Sequence, residues 1–374
     1  MSRSGDRALQ YIAMVEASGL GVVFVIIQVF GFMQSCFTCA SELAIPLSLP
    51  PQPQLNIWPV PKVVQFGKIA LEDVAGFKKS TSCMKYENSY VEFLFETFYG
   101  NTTDLNITVH THCEGKDKEP SGQYEIKCQD PECDITYFDK PGLVYAIGTL
   151  AQLLRNHDDT DKILKKGVRI LDYPSFSHRG LLIDTGRRYL PISEIYDTLK
   201  LMASVKMNIL HWHATDDISF SIDVKEYPRL QHGNPSRAKY TADDISLVQK
   251  MARSFAINVI PEIDIPGHTE SWIRGYPSLK GNAKYYMDPI SKKTEKFVSE
   301  VVERFVDMFN GSDPILHLGG NGIADAWDTN ALKNWTRVHG RYHNKSDLFN
   351  YWLENSVKRI KNLTGKFGNA YRAR

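Results

Sequence analysis

From residue 180 onward the sequence alternates short apolar runs with longer stretches of helical periodicity, and this alternation constrains the fold more than any other feature. Residues 180–184 (GLLID), 208–213, 257–263 and 315–318 read as strands, while 192–205, 242–255, 295–309 and 346–360 carry apolar residues at helical spacing. Repeated strand–helix units imply a parallel sheet covered by helices, as a barrel or a doubly wound sheet. No glycine-rich dinucleotide fingerprint follows any of these strands, which argues against a nucleotide-binding version.

Polar residues gather where each predicted strand ends. Asp184 and Arg187 follow the first, and His211, His213, Asp216 and Asp217 lie at the second. Glu262, Asp264 and His268 follow the third, and His317 and Asn321 the fourth. Any one of these could cap a helix or sit satisfied in a core. The same habit on four consecutive strands points instead to the face where parallel barrels assemble their sites. At the fourth strand the glycine pair Gly319-Gly320 lets the backbone turn sharply and approach a ligand. Asn321 and Gly322 stand behind it, and neither can give or take a proton.

Upstream, residues 46–54 (PLSLPPQPQ) read as part of a proline-rich linker spanning 41–55. A first domain of mixed α+β character is expected over 56–172, with strands at 90–98, 105–111 and 123–127 and a helix at 142–154. The second domain runs over 175–374. The uncharged apolar run 20–33, preceded by Arg3 and Arg7, is short for a membrane span and suits the core of a secretory signal within 1–40. A retained anchor is the rival reading, and only then would the chain meet a membrane. Acceptor triplets for N-glycosylation occur at Asn101, Asn106, Asn310, Asn334, Asn344 and Asn362. Cys83, Cys113, Cys128 and Cys133 leave three pairings open in an oxidising compartment. With a formal net charge of +1 the chain lacks the basic block that nucleic-acid binding needs.

Three stretches carry a resemblance. His178-Arg179-Gly180-Leu181-Leu182-Ile183-Asp184-Thr185-Gly186-Arg187, His211-Trp212-His213-Ala214-Thr215-Asp216-Asp217 and Pro261-Glu262-Ile263-Asp264-Ile265-Pro266-Gly267-His268-Thr269 resemble glycoside hydrolase family 20, the β-N-acetylhexosaminidases. The resemblance implies a small α+β domain followed by a TIM (β/α)8 barrel, of which this chain holds about four βα units. It also implies removal of terminal β-linked N-acetylglucosamine or N-acetylgalactosamine from glycans, with the substrate's own acetamido oxygen as nucleophile. Neither a cofactor nor a metal ion belongs to that scheme. By position, Arg187 would bind sugar hydroxyls, and Asp216 with His268 would form a relay that tunes the acid. Such a chain would be a glycoprotein of the secretory pathway, bound for a lysosome, a vacuole or the outside of the cell. A homodimer or heterodimer is the expected assembly.

The departure from the family pattern is severe. Its fourth strand ends in His-x-Gly-Gly-Asp-Glu; here His317, Gly319 and Gly320 match, but Asn321 and Gly322 replace the acidic pair. The segment to Trp327 is also one residue short, and Asp325 comes too late to substitute. The expectation is a weak or inactive hydrolase whose partial barrel is poorly soluble alone. Two alternatives stand beside it. One is a non-catalytic descendant that binds N-acetylhexosamine ends or a partner protein. The other is a metal-dependent barrel hydrolase with zinc held among His211, His213, Asp216, His268 and His317.

Overall fold

The computed structural model describes residues 55, 57–68, 86–100, 107–114, 121–155, 157–234, 238–281, 287–309, 315–320, 330–338, 345–364 and 370–371, together with strands at 10–15 and 23–28. Its two compact units are residues 1–179 with 200–208, and residues 180–199 with 209–374. At the amino terminus β1 (Gln10–Val15) and β2 (Val23–Gln28) pair antiparallel, so part of the apolar run is extended. The cleavage region and the proline-rich linker lie outside the described residues. No helix among the described residues is long and apolar enough to cross a membrane.

The first unit contains a five-stranded sheet in the order β3 (Val63–Phe66), β7 (Val168–Asp172), β5 (Tyr124–Gln129), β6 (Glu132–Tyr137), β4 (Thr108–Cys113). All its pairings are antiparallel except β4 with β6. Strict alternation of buried and half-buried residues along β5, β6 and β7 gives the sheet one core face. Against it packs α2 (Lys140–Arg155), whose Leu143, Ile147, Leu150 and Leu154 recur at helical spacing and are buried.

The strand expected at 90–98 is a helix, α1 (Asn88–Phe98). Its buried residues are Leu94, Phe95 and Phe98, spaced for a helical stripe against α2, so that its aromatic content misled a reading by strand propensity. The strand expected at 105–111 runs from Thr108 to Cys113, and β3, β6, β7 and the helix α3 (His157–Lys166) were not anticipated. Cys128 and Cys133 face each other across β5 and β6 and form a disulfide. Cys113 is also disulfide-bonded, whereas Cys83 lies outside the described residues.

The second unit is the alternating half of the chain. Strands β8 (Arg179–Asp184), β9 (Ile209–His213), β10 (Asn258–Glu262), β11 (Leu316–His317) and β12 (Ala370–Tyr371) lie side by side in chain order, all parallel. Helices α4 (Ile192–Ser204), α5 (Ala242–Ser254), α7 (Lys292–Met308) and α9 (Lys345–Thr364) fall between them, with α6 (Glu270–Gly275) and α8 (Asn330–Val338) added in the loops. β12 is a fifth parallel strand, beyond the four expected. Ile183, Leu210, Trp212, Val248, Ile263, Val302 and Phe305 are fully or almost fully buried and form the apolar layer between strands and helices. The register sets Asp184 beside His213, and Glu262 beside both His213 and His317. Four polar side chains thus arrive abreast at one end of the sheet.

Candidate active site

Each strand end delivers its polar residues to this row. After β8 a tight turn folds Arg187 back: its backbone N–H donates to Asp184 Oδ1 at 3.0 Å, and its guanidinium contacts Asp184 Oδ2. The other arm of the guanidinium reaches Asp216 Oδ2 at 2.8 Å. Arg187 therefore spans two carboxylates while about half of its side chain stays exposed, leaving donors free for a ligand.

Asp216 is 2% exposed and carries much of the local wiring. It accepts the Asp217 N–H at 2.7 Å and faces His213 Nε2 at 3.2 Å. His213 turns its other nitrogen to Glu262 Oε1 at 3.3 Å. Burial alone would lower the His213 pKa, but the Asp216 and Glu262 carboxylates push it up to about 10.

Asp216 and His268, expected to form a relay, lie close together, but the shorter contact of His268 is with Asp217. His268 Nδ1 bonds Asp217 Oδ2 at 2.9 Å, and Asp216 Oδ2 lies 3.8 Å away. Asp217 also accepts the Glu270 N–H at 3.0 Å, at the start of α6. The Asp217 bond raises the His268 pKa. In turn, although burial opposes it, the His268 ring and the Glu270 N–H hold Asp217 below the usual carboxylate range. His268 adopts a φ of 48°, a left-handed conformation that aims its ring back toward β9.

At β10, Glu262 is 3% exposed and is approached by His211, His213 and His317. Burial would raise its pKa, yet these three rings hold it far below the ordinary range. Asp264 is 1% exposed. Its Oδ1 accepts the Gly320 N–H at 2.8 Å, and its Oδ2 has no hydrogen-bond partner. Burial pushes the Asp264 pKa up to about 6. Gly319 and Gly320, at φ 64° and 108°, occupy the left-handed region. A Cβ on Gly319 would collide with Asp264 Oδ1, so the close approach needs glycine.

The structure places Arg187 and His268 on either side of Asp216, 2.8 Å and 3.8 Å from its Oδ2. Asn321 and Gly322 lie outside the described residues. Asp217, Glu262 and Asp264 stand in the same strand-end clusters of the sequence, but their contacts run between strands, where sequence offers no signal. Among the glycosylation triplets, Asn334 is exposed on α8 and Asn362 falls in α9, while Asn101, Asn106, Asn310 and Asn344 lie outside the described residues. Two cavities of about 490 Å³ each lie elsewhere, one between α1 and β4 and one between α5 and α7 lined by Asp223, Glu226, Arg253, Arg304 and Asp307.

Residues 176–367 match the model of the glycosyl hydrolase family 20 catalytic domain, which is half of the chain. The chain belongs to glycosyl hydrolase family 20. Among its relatives, Beta-hexosaminidase A of Caenorhabditis elegans is 30% identical over 349 residues, covering 82% of this chain and 61% of that one. Beta-hexosaminidase 1 of Arabidopsis thaliana is 37% identical over 283 residues, covering 71% and 51%. The family-20 chain therefore spans between half and three-fifths of these relatives. Its fold is that of the Flavobacterium johnsoniae chitobiase, with a TM-score of 0.67 over 83% of this chain and 52% of that one, at 23% identity.

Proposed function

We propose that this chain is a β-hexosaminidase-type protein that holds the N-acetylhexosamine end of a glycan but hydrolyses it poorly or not at all. The observation that carries the reading is Arg187, forked between Asp184 and Asp216 with half of its surface open, beside the Asp217–His268 pair. A guanidinium braced in this way offers a planar set of donors to vicinal sugar hydroxyls. In the substrate-assisted route the acetamido oxygen attacks the anomeric carbon as the departing oxygen takes a proton. Gly322 supplies no proton, so the departing oxygen would leave as an unprotonated alkoxide. Asn321 can hydrogen-bond the acetamido group but brings no charge to steady the developing cation. The missing acid is worth on the order of 10²–10⁴-fold and the missing charge on the order of 10²–10³-fold.

The test is direct. Turnover of a chromogenic N-acetylglucosaminide is measured alongside calorimetric binding of N-acetylglucosamine. Binding with negligible turnover is expected, and the Asn321→Asp/Gly322→Glu double variant should raise kcat/KM by on the order of 10⁴-fold or more. Turnover by the unaltered chain at about 1–10³ s⁻¹ would overturn the impairment. Binding retained without any gain in the double variant would favour a purely sugar-binding or partner-binding descendant.

Mouse relatives bear the names Beta-hexosaminidase subunit beta, at 29% identity, and subunit alpha, at 34%. Those names support assembly as a homodimer or heterodimer. A secretory route to a lysosome, a vacuole or the cell exterior, with glycans on the acceptor asparagines, completes the proposal.

A further inference from the structure

Arg187 carries the proposed glycan binding, and its bracing continues inward past Asp216. In the register of the sheet, His213 is the partner of Asp184 on one side and of Glu262 on the other, so it stands in the middle of the row. Its Nε2 lies 3.2 Å from Asp216 Oδ2, and its Nδ1 lies 3.3 Å from Glu262 Oε1. An ionised carboxylate only accepts, so a ring nitrogen without hydrogen at either place would set lone pair against lone pair. The geometry therefore favours hydrogen on both nitrogens. Charge balance points the same way. Asp184, Asp216 and Glu262 bring three carboxylates to this row, and the Arg187 guanidinium balances only one of their charges. The other two rings beside Glu262 are poorer partners for it: His317 Nδ1 already accepts the Gly319 N–H at 3.1 Å, and His211 Nε2 makes no hydrogen bond.

We propose that His213 is a positioning residue for glycan binding, a fixed imidazolium that joins Glu262 to Asp216 and so holds Arg187 in its fork. This role rests on the sugar-binding reading above and adds to it the group that orients the binding arginine. Three donors fix the plane of the Asp216 carboxylate. Its Oδ1 takes the Asp217 N–H at 2.7 Å, while its Oδ2 takes the His213 ring and, at 2.8 Å, the guanidinium. Without His213 the Oδ2 atom is left to Arg187 alone, the carboxylate can turn, and the guanidinium follows it out of the place where it meets a sugar. Packing by itself asks for no such group. At 6% exposure a neutral or apolar side chain would be cheaper to bury than a cation.

The full chain, with isotopically labelled arginine and histidine, is studied by NMR, and its binding of N-acetylglucosamine is measured by calorimetry. At about pH 8, above the ordinary imidazole value of about 6.5, both His213 nitrogens should still carry hydrogen. The terminal nitrogens of Arg187, assigned with Arg187→Lys, should give separate signals because the fork blocks their rotation. In His213→Gln those signals should merge, and sugar affinity should fall at least about tenfold, the worth of one hydrogen bond to a charged group. His112→Gln, on β4 of the first unit, should change neither. Circular dichroism checks that the variants fold. A His213 nitrogen bare of hydrogen in the unaltered chain overturns the bridge, whether or not the variant folds. So does a folded His213→Gln chain in which the Arg187 signals stay apart or the sugar binds as before. Should the unaltered chain fail to bind the sugar, the proposed function itself falls, and the NMR signals, which need no sugar, tell that failure apart from a failure of the bridge.

Discussion

Arg187, Asp216, Asp217 and His268 form a chain of charge in which each group is held by the next. The short bond runs from His268 to Asp217, and Asp216 is left to Arg187 and His213. This pairing has a pH signature. The His268 pKa is raised by Asp217, so its contribution to stability is fully present below the ordinary imidazole value of about 6.5 and is lost as pH rises through the folded value. The Asp217 pKa is lowered, so its contribution is present above its ordinary value of 3.8 and is lost as pH falls through the folded value. The pair should therefore stabilise most between about pH 4 and 6.5. In an NMR titration, Asp217→Asn should move the His268 ring midpoint downward, whereas Asp216→Asn should move it less. Equal shifts would return the relay to Asp216.

Among the elements, those with strong local periodicity were legible and those defined by their neighbours were not. α5 shows the legible kind. Thr241 accepts the Asp244 N–H at 3.2 Å and donates its own N–H to Asp244 Oδ2 at 2.8 Å, a reciprocal cap written in four residues. Thr241→Ala should cost on the order of 0.5–2 kcal/mol in a urea melt, and a change below the error of the fit would show that water replaces the cap. α1 shows the other kind. Its apolar residues fit a strand by composition, and only the α2 surface waiting beside it makes the helical stripe of Leu94, Phe95 and Phe98 worth burying. Likewise β11, two residues long, has almost no periodicity of its own and exists because β10 offers it a partner.

Across the whole molecule, the first unit is not continuous in sequence. Residues 200–208 belong to it, and Lys206, 6% exposed, is the tie. Its ammonium reaches Asp172 Oδ2 at 2.6 Å and the Tyr124 hydroxyl at 2.9 Å, and that hydroxyl lies 2.6 Å from Thr149 Oγ1. Lys206→Met would strand a buried carboxylate and should cost about 3–5 kcal/mol by chemical denaturation. Lys206→Met combined with Asp172→Leu should recover most of that, and a double variant no better than the single would show that packing, not charge, is what was lost.

Local spacing was enough to establish the strand–helix alternation and the polar residues at each strand end. Those features are written within a few residues of one another, where periodicity and residue type act directly. Which carboxylate meets which histidine was settled only in three dimensions. Glu262, His211, His213 and His317 come from three different strands, and parallel register, a long-range property, decides that they meet.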